Sequence, residues 1–206
     1  MIAIHTTHTE EIRGVLIHRG RLTTPVQETI LAAIEHVIAR APLFSPETRF
    51  GRPMSVRMTS AGRYGWYSDR SGYRYINRHP EGMPWPAIPP AILTIWHQLV
   101  PGNRDPECCL INVYGPKSRM GLHRDCDETD YSWPVVSLSL GDSARFRIGN
   151  LARGGPTESV WLHSGDVAVM GGPARKIHHG IDRIRFASST LLPEGGRINL
   201  TLRVVD

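Results

Sequence analysis

His123-Arg124-Asp125 sets an imidazole and a carboxylate two residues apart, and in extended backbone such neighbours share one face. A divalent metal could sit between them. A third donor is on offer in Lys176-Ile177-His178-His179-Gly180-Ile181, which reads as a strand more than fifty residues further on. Two His and one carboxylate bind Fe(II) as a facial triad and leave three octahedral positions open, two to chelate a 2-oxo acid and one to admit O₂. A catalytic zinc takes the same donors, so these residues alone do not choose the metal. His-Arg-Asp also occurs in kinase catalytic loops. That loop needs Asn five residues after the Asp, where this chain has Asp130, and no glycine-rich phosphate loop precedes it, so kinase chemistry is excluded.

A second constellation lies near the carboxyl end. From Arg197 to Arg203 the residues alternate strictly, with Arg197, Asn199, Thr201 and Arg203 on one face and Ile198, Leu200 and Leu202 on the other. A half-exposed strand alternates in the same way, but two guanidinium forks flanking an amide also suit a dicarboxylate. The run Cys108 to Tyr114 offers a matching face, where Leu110, Asn112 and Tyr114 point together and an amide and a phenol could donate to the same ligand.

These groups need a rigid frame, and 206 residues suffice for one domain or a core with a modest lobe. Thr24-Pro25-Val26-Gln27 carries a capping candidate, Pro at the first helical position and Gln at the capping-box position, ahead of Ile30, Ile34, Val37 and Ile38. A helix over about 25–40 follows. A second helix, 91–100, opens after Pro89-Pro90 and ends at Pro101-Gly102. Beyond Asp105 short segments between turn residues predict strands at 107–114, 134–140, 144–149, 158–163, 166–170, 175–181 and 197–205, the pattern of a sandwich or barrel. Between the helices, Gly62 to Tyr75 sets Trp66, Tyr67, Tyr73 and Tyr75 among arginines and reads as a hairpin-rich lobe.

No stretch approaches the ~20 apolar residues of a membrane span, and Met1-Ile2-Ala3-Ile4-His5 lacks the pattern of a leader, which predicts a cytoplasmic protein with no membrane association. Cys108, Cys109 and Cys126 are odd in number and lack zinc-site spacing; they read as reduced thiols, with Cys109 in the core. The net charge of +5 rests on arginine, Lys117 and Lys176 being the only lysines, and favours a polyanionic partner.

Several motifs occur in one order: Met54-Ser55-Val56 to Tyr75; Cys109-Leu110-Ile111-Asn112-Val113-Tyr114; Leu122 to Glu128; Pro134 to Gly141; His163-Ser164-Gly165-Asp166-Val167; and Arg197 to Arg203. Together they resemble the AlkB-type Fe(II)/2-oxoglutarate dioxygenases that repair alkylated nucleobases, over about 53–205. The resemblance implies iron ligands at His123, Asp125 and His179, the last because the family's ligand immediately precedes Gly-Ile, so that His178 faces elsewhere. It implies 2-oxoglutarate contacts at Asn112, Tyr114, Arg197, Asn199 and Arg203, and base recognition at Trp66, Tyr73, Tyr75, Asp127 and Arg153. Met170 stands where the family commonly has Trp and His178 where an aromatic is common, while Arg124 and Cys126 flank the metal Asp. These departures bear on substrate preference before they bear on the reaction.

The expected fold is mainly β with N-terminal helices, a double-stranded β-helix (jelly-roll) core under a nucleotide-recognition lid. As a single domain, 1–206, it divides into an N-terminal helical part (1–45), the lid and second helix (46–105) and the dioxygenase core (106–206). The implied activity uses Fe(II), 2-oxoglutarate and O₂ to demethylate N1-methyladenine and N3-methylcytosine in DNA, single strands preferred, with release of formaldehyde, by a monomer. The alternatives are a related dioxygenase acting on RNA or protein, and a metal-binding jelly roll that binds 2-oxoglutarate or lesions without catalysis.

Overall fold

The computed structural model describes residues 8–48 and 50–206; residues 1–7, which include the segment read above for a leader, and Arg49 lie outside the described residues. In chain order, β1 (Thr9–Ile12) and β2 (Val15–His18) precede α1 (Thr24–Arg40), and β3 (Val56–Gly62), β4 (Gly65–Asp69) and β5 (Gly72–Ile76) precede α2 (Pro90–Leu99). Then follow β6 (Cys108–Tyr114), β7 (Met120–His123), β8 (Val135–Gly141), β9 (Ser143–Ile148), β10 (Glu158–Leu162), β11 (Val167–Met170), β12 (His179–Arg185) and β13 (Arg197–Arg203).

The strands form a major sheet in the order β1-β2-β11-β8-β13-β6-β3, a minor sheet β10-β9-β12-β7, and the separate hairpin β4-β5. Alternation decides what each face of the major sheet meets. Val15, Ile17, Met58, Leu110 and Tyr114 pack in one cluster with Phe146, Ile148, Ile181 and Ile184 of the minor sheet. Cys109, Ile111, Leu138 and Leu200 pack in another with Ile30, Ile34 and Val37 of α1 and Ile92, Ile95 and Trp96 of α2. The result is a jelly roll, with both helices on the outer face of the major sheet and the space between the sheets left for the site.

Both helices form within a residue of their expected bounds. Gln27 does not close a capping box, however: Thr23 at the N-cap makes no side-chain bond, and the buried Gln27 instead donates to Leu22 O and accepts from Ser164 Oγ. The N-terminal part, expected to be helical, also carries the β1-β2 hairpin, which extends the major sheet beside β11. Its turn, Arg13-Gly14, has φ of 51° and 81°, the left-handed pair that suits a tight hairpin but that Arg does not advertise. β3 joins β6 in the major sheet, so the lobe over the site reduces largely to β4-β5. The segment 175–178, expected as strand, follows a 3-10 turn at Gly172–Ala174; β12 begins only at His179 and runs on to Arg185. β13 is buried along its whole length, not half exposed, because α1 and α2 cover one face and the minor sheet the other.

Candidate active site

β7 ends at His123 and β12 begins at His179, and the two residues are direct partners across the strand pair, with ring centroids 4.6 Å apart. Asp125 lies just past the end of β7, outside the strand. Its Oδ1 stands 3.9 Å from His123 Nε2 and its Oδ2 stands 3.8 Å from His179 Nε2. One donor atom from each of the three lies within 4.8 Å of the others. Each ring is turned by a backbone carbonyl: His123 Nδ1 donates to Gly121 O at 2.9 Å and His179 Nδ1 to Ile177 O at 3.0 Å. A carbonyl only accepts, so Nδ1 carries the proton and the lone pair sits on Nε2, facing the carboxylate.

Burial and the neighbouring His123 bring the His179 imidazole down to about 4, so it is neutral. Burial alone would raise the Asp125 carboxyl, but the Arg203 guanidinium beside it outweighs burial and holds the group well below the usual carboxylate range. Its Oδ2 is buried without a hydrogen-bond partner. A neutral His179 imidazole, a second imidazole whose Nε2 is turned inward and an ionised carboxylate with an open oxygen suit a divalent metal.

Around Asp125 lies a network that residue types did not announce. Arg203 Nη2 donates to Asp125 Oδ1 at 2.9 Å, and Arg203 Nε pairs with Glu128 Oε1 at 3.3 Å. Arg175 donates to Asp125 O at 3.0 Å and to Trp133 O at 2.8 Å, and pairs with Glu128 Oε2 at 3.2 Å. Glu128 also accepts from the Tyr75 hydroxyl at 2.6 Å. Glu128 and Arg175 are both buried, and sequence reasoning passed over them as sites. The one available signal was the place of Glu128 at the end of the Leu122 to Glu128 motif.

On β13 the inward face is as expected. Arg197 is 1% exposed; its Nη2 donates to Ser139 Oγ at 2.8 Å, its Nε has no partner, and no described carboxylate lies within ion-pair distance. Burial pulls the guanidinium down to about 10. Tyr114 faces Arg197 across the β6-β13 pair and Asn112 faces Asn199. Asn112 Nδ2 donates to Asn199 Oδ1 at 3.4 Å, while Asn112 Oδ1 is buried without a partner. Tyr114, pushed up to about 12 by burial, keeps its proton, and its hydroxyl donates to Met120 Sδ at 3.8 Å. A buried cation without a counter-ion is costly, and an entering carboxylate would remove that cost.

The structure also gathers most of the aromatic set. Trp66 and Tyr75 are partners across β4-β5, Trp66 stacks on Tyr73 with centroids 5.4 Å apart and planes at 23°, and Trp66 Nε1 donates to Asp127 Oδ2 at 3.0 Å. Arg153 is exposed in the loop between β9 and β10, and no described hydrogen bond or ion pair ties it to them. His178 Nδ1 donates to Asn150 O at 2.8 Å and is turned from the triad, while Met170 is packed between the sheets. Cys108 and Cys109 are buried and Cys126 is exposed.

Residues 14–203 match the model of the 2OG-Fe(II) oxygenase superfamily. An alpha-ketoglutarate-dependent dioxygenase AlkB homolog of Caulobacter vibrioides is 49% identical over 193 residues, covering 93% of this chain and 88% of the relative. This chain belongs to the AlkB family. Alpha-ketoglutarate-dependent dioxygenase AlkB of Escherichia coli is 36% identical over 195 residues, 92% of this chain and 89% of that protein. The solved structure of OsALKBH1 superposes with a TM-score of 0.81 at 30% identity, covering 96% of this chain and all of that one. As an AlkB-family member the protein is a 2-oxoglutarate-dependent dioxygenase that uses Fe(II) and O₂. Its residues fit that chemistry on their own terms: the open Oδ2 of Asp125 and two bare Nε2 atoms suit the iron, and the uncompensated Arg197 suits a carboxylate.

Proposed function

We propose that the enzyme demethylates N1-methyladenine and N3-methylcytosine in DNA, single strands preferred, as a cytoplasmic monomer. Fe(II) is held by His123, Asp125 and His179, and 2-oxoglutarate by Asn112, Tyr114, Arg197, Asn199 and Arg203. When bound, iron with O₂ and 2-oxoglutarate supplies the oxidation of an N-methyl carbon, the co-substrate leaving as succinate and CO₂.

The protein's part is placement. Arg197 offers Nε to a co-substrate carboxylate, Tyr114 faces Arg197 and Asn112 faces Asn199 across the strand pair, and Arg203 holds Asp125 so that one oxygen remains free. Trp66 and Tyr73 present a stacked aromatic pair to an extruded base, an arrangement worth about 1–3 kcal/mol per base. The Asp127 carboxylate beside Trp66 favours a cationic methylated base over a neutral one. After oxidation the hydroxymethyl carbon leaves as formaldehyde, and the positive charge on the base makes it a good leaving group that asks for no acid from the protein.

The observation that carries the reading is Glu128, which one hydroxyl of the aromatic hairpin (Tyr75) shares with the arginine that holds the metal carboxylate. Base platform and metal donors are one carboxylate apart. No described helix is long and apolar enough to cross a membrane.

The test is mass spectrometry of a single-stranded oligonucleotide carrying one N3-methylcytosine, incubated with the protein, Fe(II), 2-oxoglutarate and ascorbate. Loss of one methylene mass, absent with His123→Ala, is expected. Consumption of 2-oxoglutarate without that loss moves the substrate to RNA or protein, and no consumption favours a binding protein.

A further inference from the structure

The outer face of the minor sheet carries arginines that the reaction does not use. Trp161 on β10, Arg145 on β9 and Arg183 on β12 stand in one cross-strand row, each directly opposite the next. Arg147 lies two residues along β9, and Arg185 of β12 sets its guanidinium 4.3 Å above the Trp161 ring. Asp182 answers this group as its carboxylate: it takes Arg145 at 2.7 Å through both oxygens and lies 3.9 Å from Arg147. Arg183 and Arg185 are exposed and have no described carboxylate within ion-pair distance. Four guanidiniums thus share one acid.

Asp182 is taken up by Arg145, so Arg183, directly opposite Arg145, and Arg185 keep positive charge that a bound anion would meet. The face is also close to the chemistry. β12 starts at His179, and Arg183 follows four residues later, about 13 Å along the strand at ~3.3 Å per residue. A base seated at the site therefore has neighbouring phosphates within a few nucleotides of the face. Guanidinium forks match phosphate oxygens, and Trp161 under Arg185 adds a flat π surface, the combination by which proteins track a single strand without reading its sequence.

We propose that this face, through Arg147, Arg183 and Arg185 with Trp161, binds the phosphodiester backbone of the strand that flanks the modified base. The inference rests on the nucleic-acid reading above and adds the surface by which longer substrates are held.

The test compares the wild type with Arg147→Gln/Arg183→Gln/Arg185→Gln on two substrates, a methylated trinucleotide too short to reach the face and a methylated strand of about 16 nucleotides. The triple variant is expected to raise KM for the long strand on the order of tenfold at about 0.15 M salt and to flatten the log–log salt dependence of binding by about 2, at ~0.7 for each phosphate that is no longer neutralised. Turnover of the trinucleotide stays at the wild-type level, which also reports an intact fold. An unchanged KM and salt slope for the long strand overturns the proposal, and so does an equal loss on both substrates. If the wild type turns over neither substrate, the demethylase reading has failed separately. Fluorescence anisotropy with an unmodified strand of the same length then decides: weaker binding by the variant supports the face, and equal binding, or binding only to anionic lipid vesicles, overturns it.

Discussion

Arg203 and Asp125 meet through a 2.9 Å bond from Nη2 to Oδ1, which satisfies one carboxylate oxygen and leaves the other facing His179. Arg197, six residues earlier on the same strand and on the same face, has no carboxylate to meet. The two arginines look interchangeable as letters, but Arg203 is already paired with Asp125 and Glu128, whereas Arg197 meets a carboxylate only when a ligand brings one. That asymmetry separates their mutants.

Removing Arg203 leaves Asp125 and Glu128 buried without their shared cation. Arg203→Met is expected to lose about 3–5 kcal/mol of folding stability, the scale for breaking one side of a buried ion pair. Urea unfolding of the metal-free protein measures it. A loss below about 1 kcal/mol would mean that Arg175 alone neutralises the pair.

Arg197→Met should behave in the opposite way. The substitution removes an uncompensated buried charge at similar volume, so the ligand-free protein unfolds at the same temperature or higher. What it loses is the response to 2-oxoglutarate, which at a hundredfold excess over Kd contributes about 2.7 kcal/mol to the wild type. Melting curves with and without 2-oxoglutarate, in the presence of Mn(II), check this. A variant that keeps the full shift would move the carboxylate contact elsewhere.

Periodicity and motif order carried much of this architecture. The inward face of β13 and the matching face of β6 were readable because strand alternation is strict there, and the residues proposed to hold the co-substrate lie on them. The β1-β2 hairpin was not readable, since Arg13 takes a positive φ usually left to Gly or Asn, and β7 is too short and too glycine-containing to stand out. His123 and Asp125 were expected to share a strand face, but the strand stops at His123. Asp125 reaches the site because Arg203 and Arg175, distant in sequence, pull its carboxylate and its carbonyl. Burial of Glu128 is likewise a product of those arginines and could not be read from its own neighbours. Arg153 is exposed in the loop between β9 and β10, where no described hydrogen bond or ion pair fixes its side chain.

The two adjacent histidines make a sharp comparison. His179 Nε2 faces Asp125, whereas His178 is tied to Asn150 O on the other side of the chain. His179→Ala, like His123→Ala and Asp125→Asn, is expected to abolish succinate formation and bound iron, while His178→Ala keeps both within about threefold. Iron content and succinate yield are the readouts, and the reverse pattern would exchange the two assignments.

Trp66 is expected to act on the nucleic acid and not on the co-substrate. Trp66→Ala removes the ring stacked on Tyr73 and frees Asp127, so KM for a methylated oligonucleotide rises about tenfold or more, in line with the ~1–3 kcal/mol of one stacking contact. The KM for 2-oxoglutarate should not move. Trp66→Phe restores the stacking surface without the N–H, and its recovery of KM separates the platform from the hydrogen bond to Asp127.

Cys126 adjoins Asp125 and is exposed, whereas Cys108 and Cys109 are fully buried and burial pushes the Cys108 thiol up to about 11. Only the exposed thiol has both access and proximity to oxidation at the metal donors. Turnover of 2-oxoglutarate without nucleic acid is therefore expected to add oxygen to Cys126 and to spare the other two, with activity falling in step. Peptide mass spectrometry after such turnover reads the site directly. Supplying the methylated oligonucleotide should suppress the modification and Cys126→Ser should slow the loss of activity. Equal oxidation in His123→Ala would instead assign it to dissolved O₂ acting on any accessible thiol.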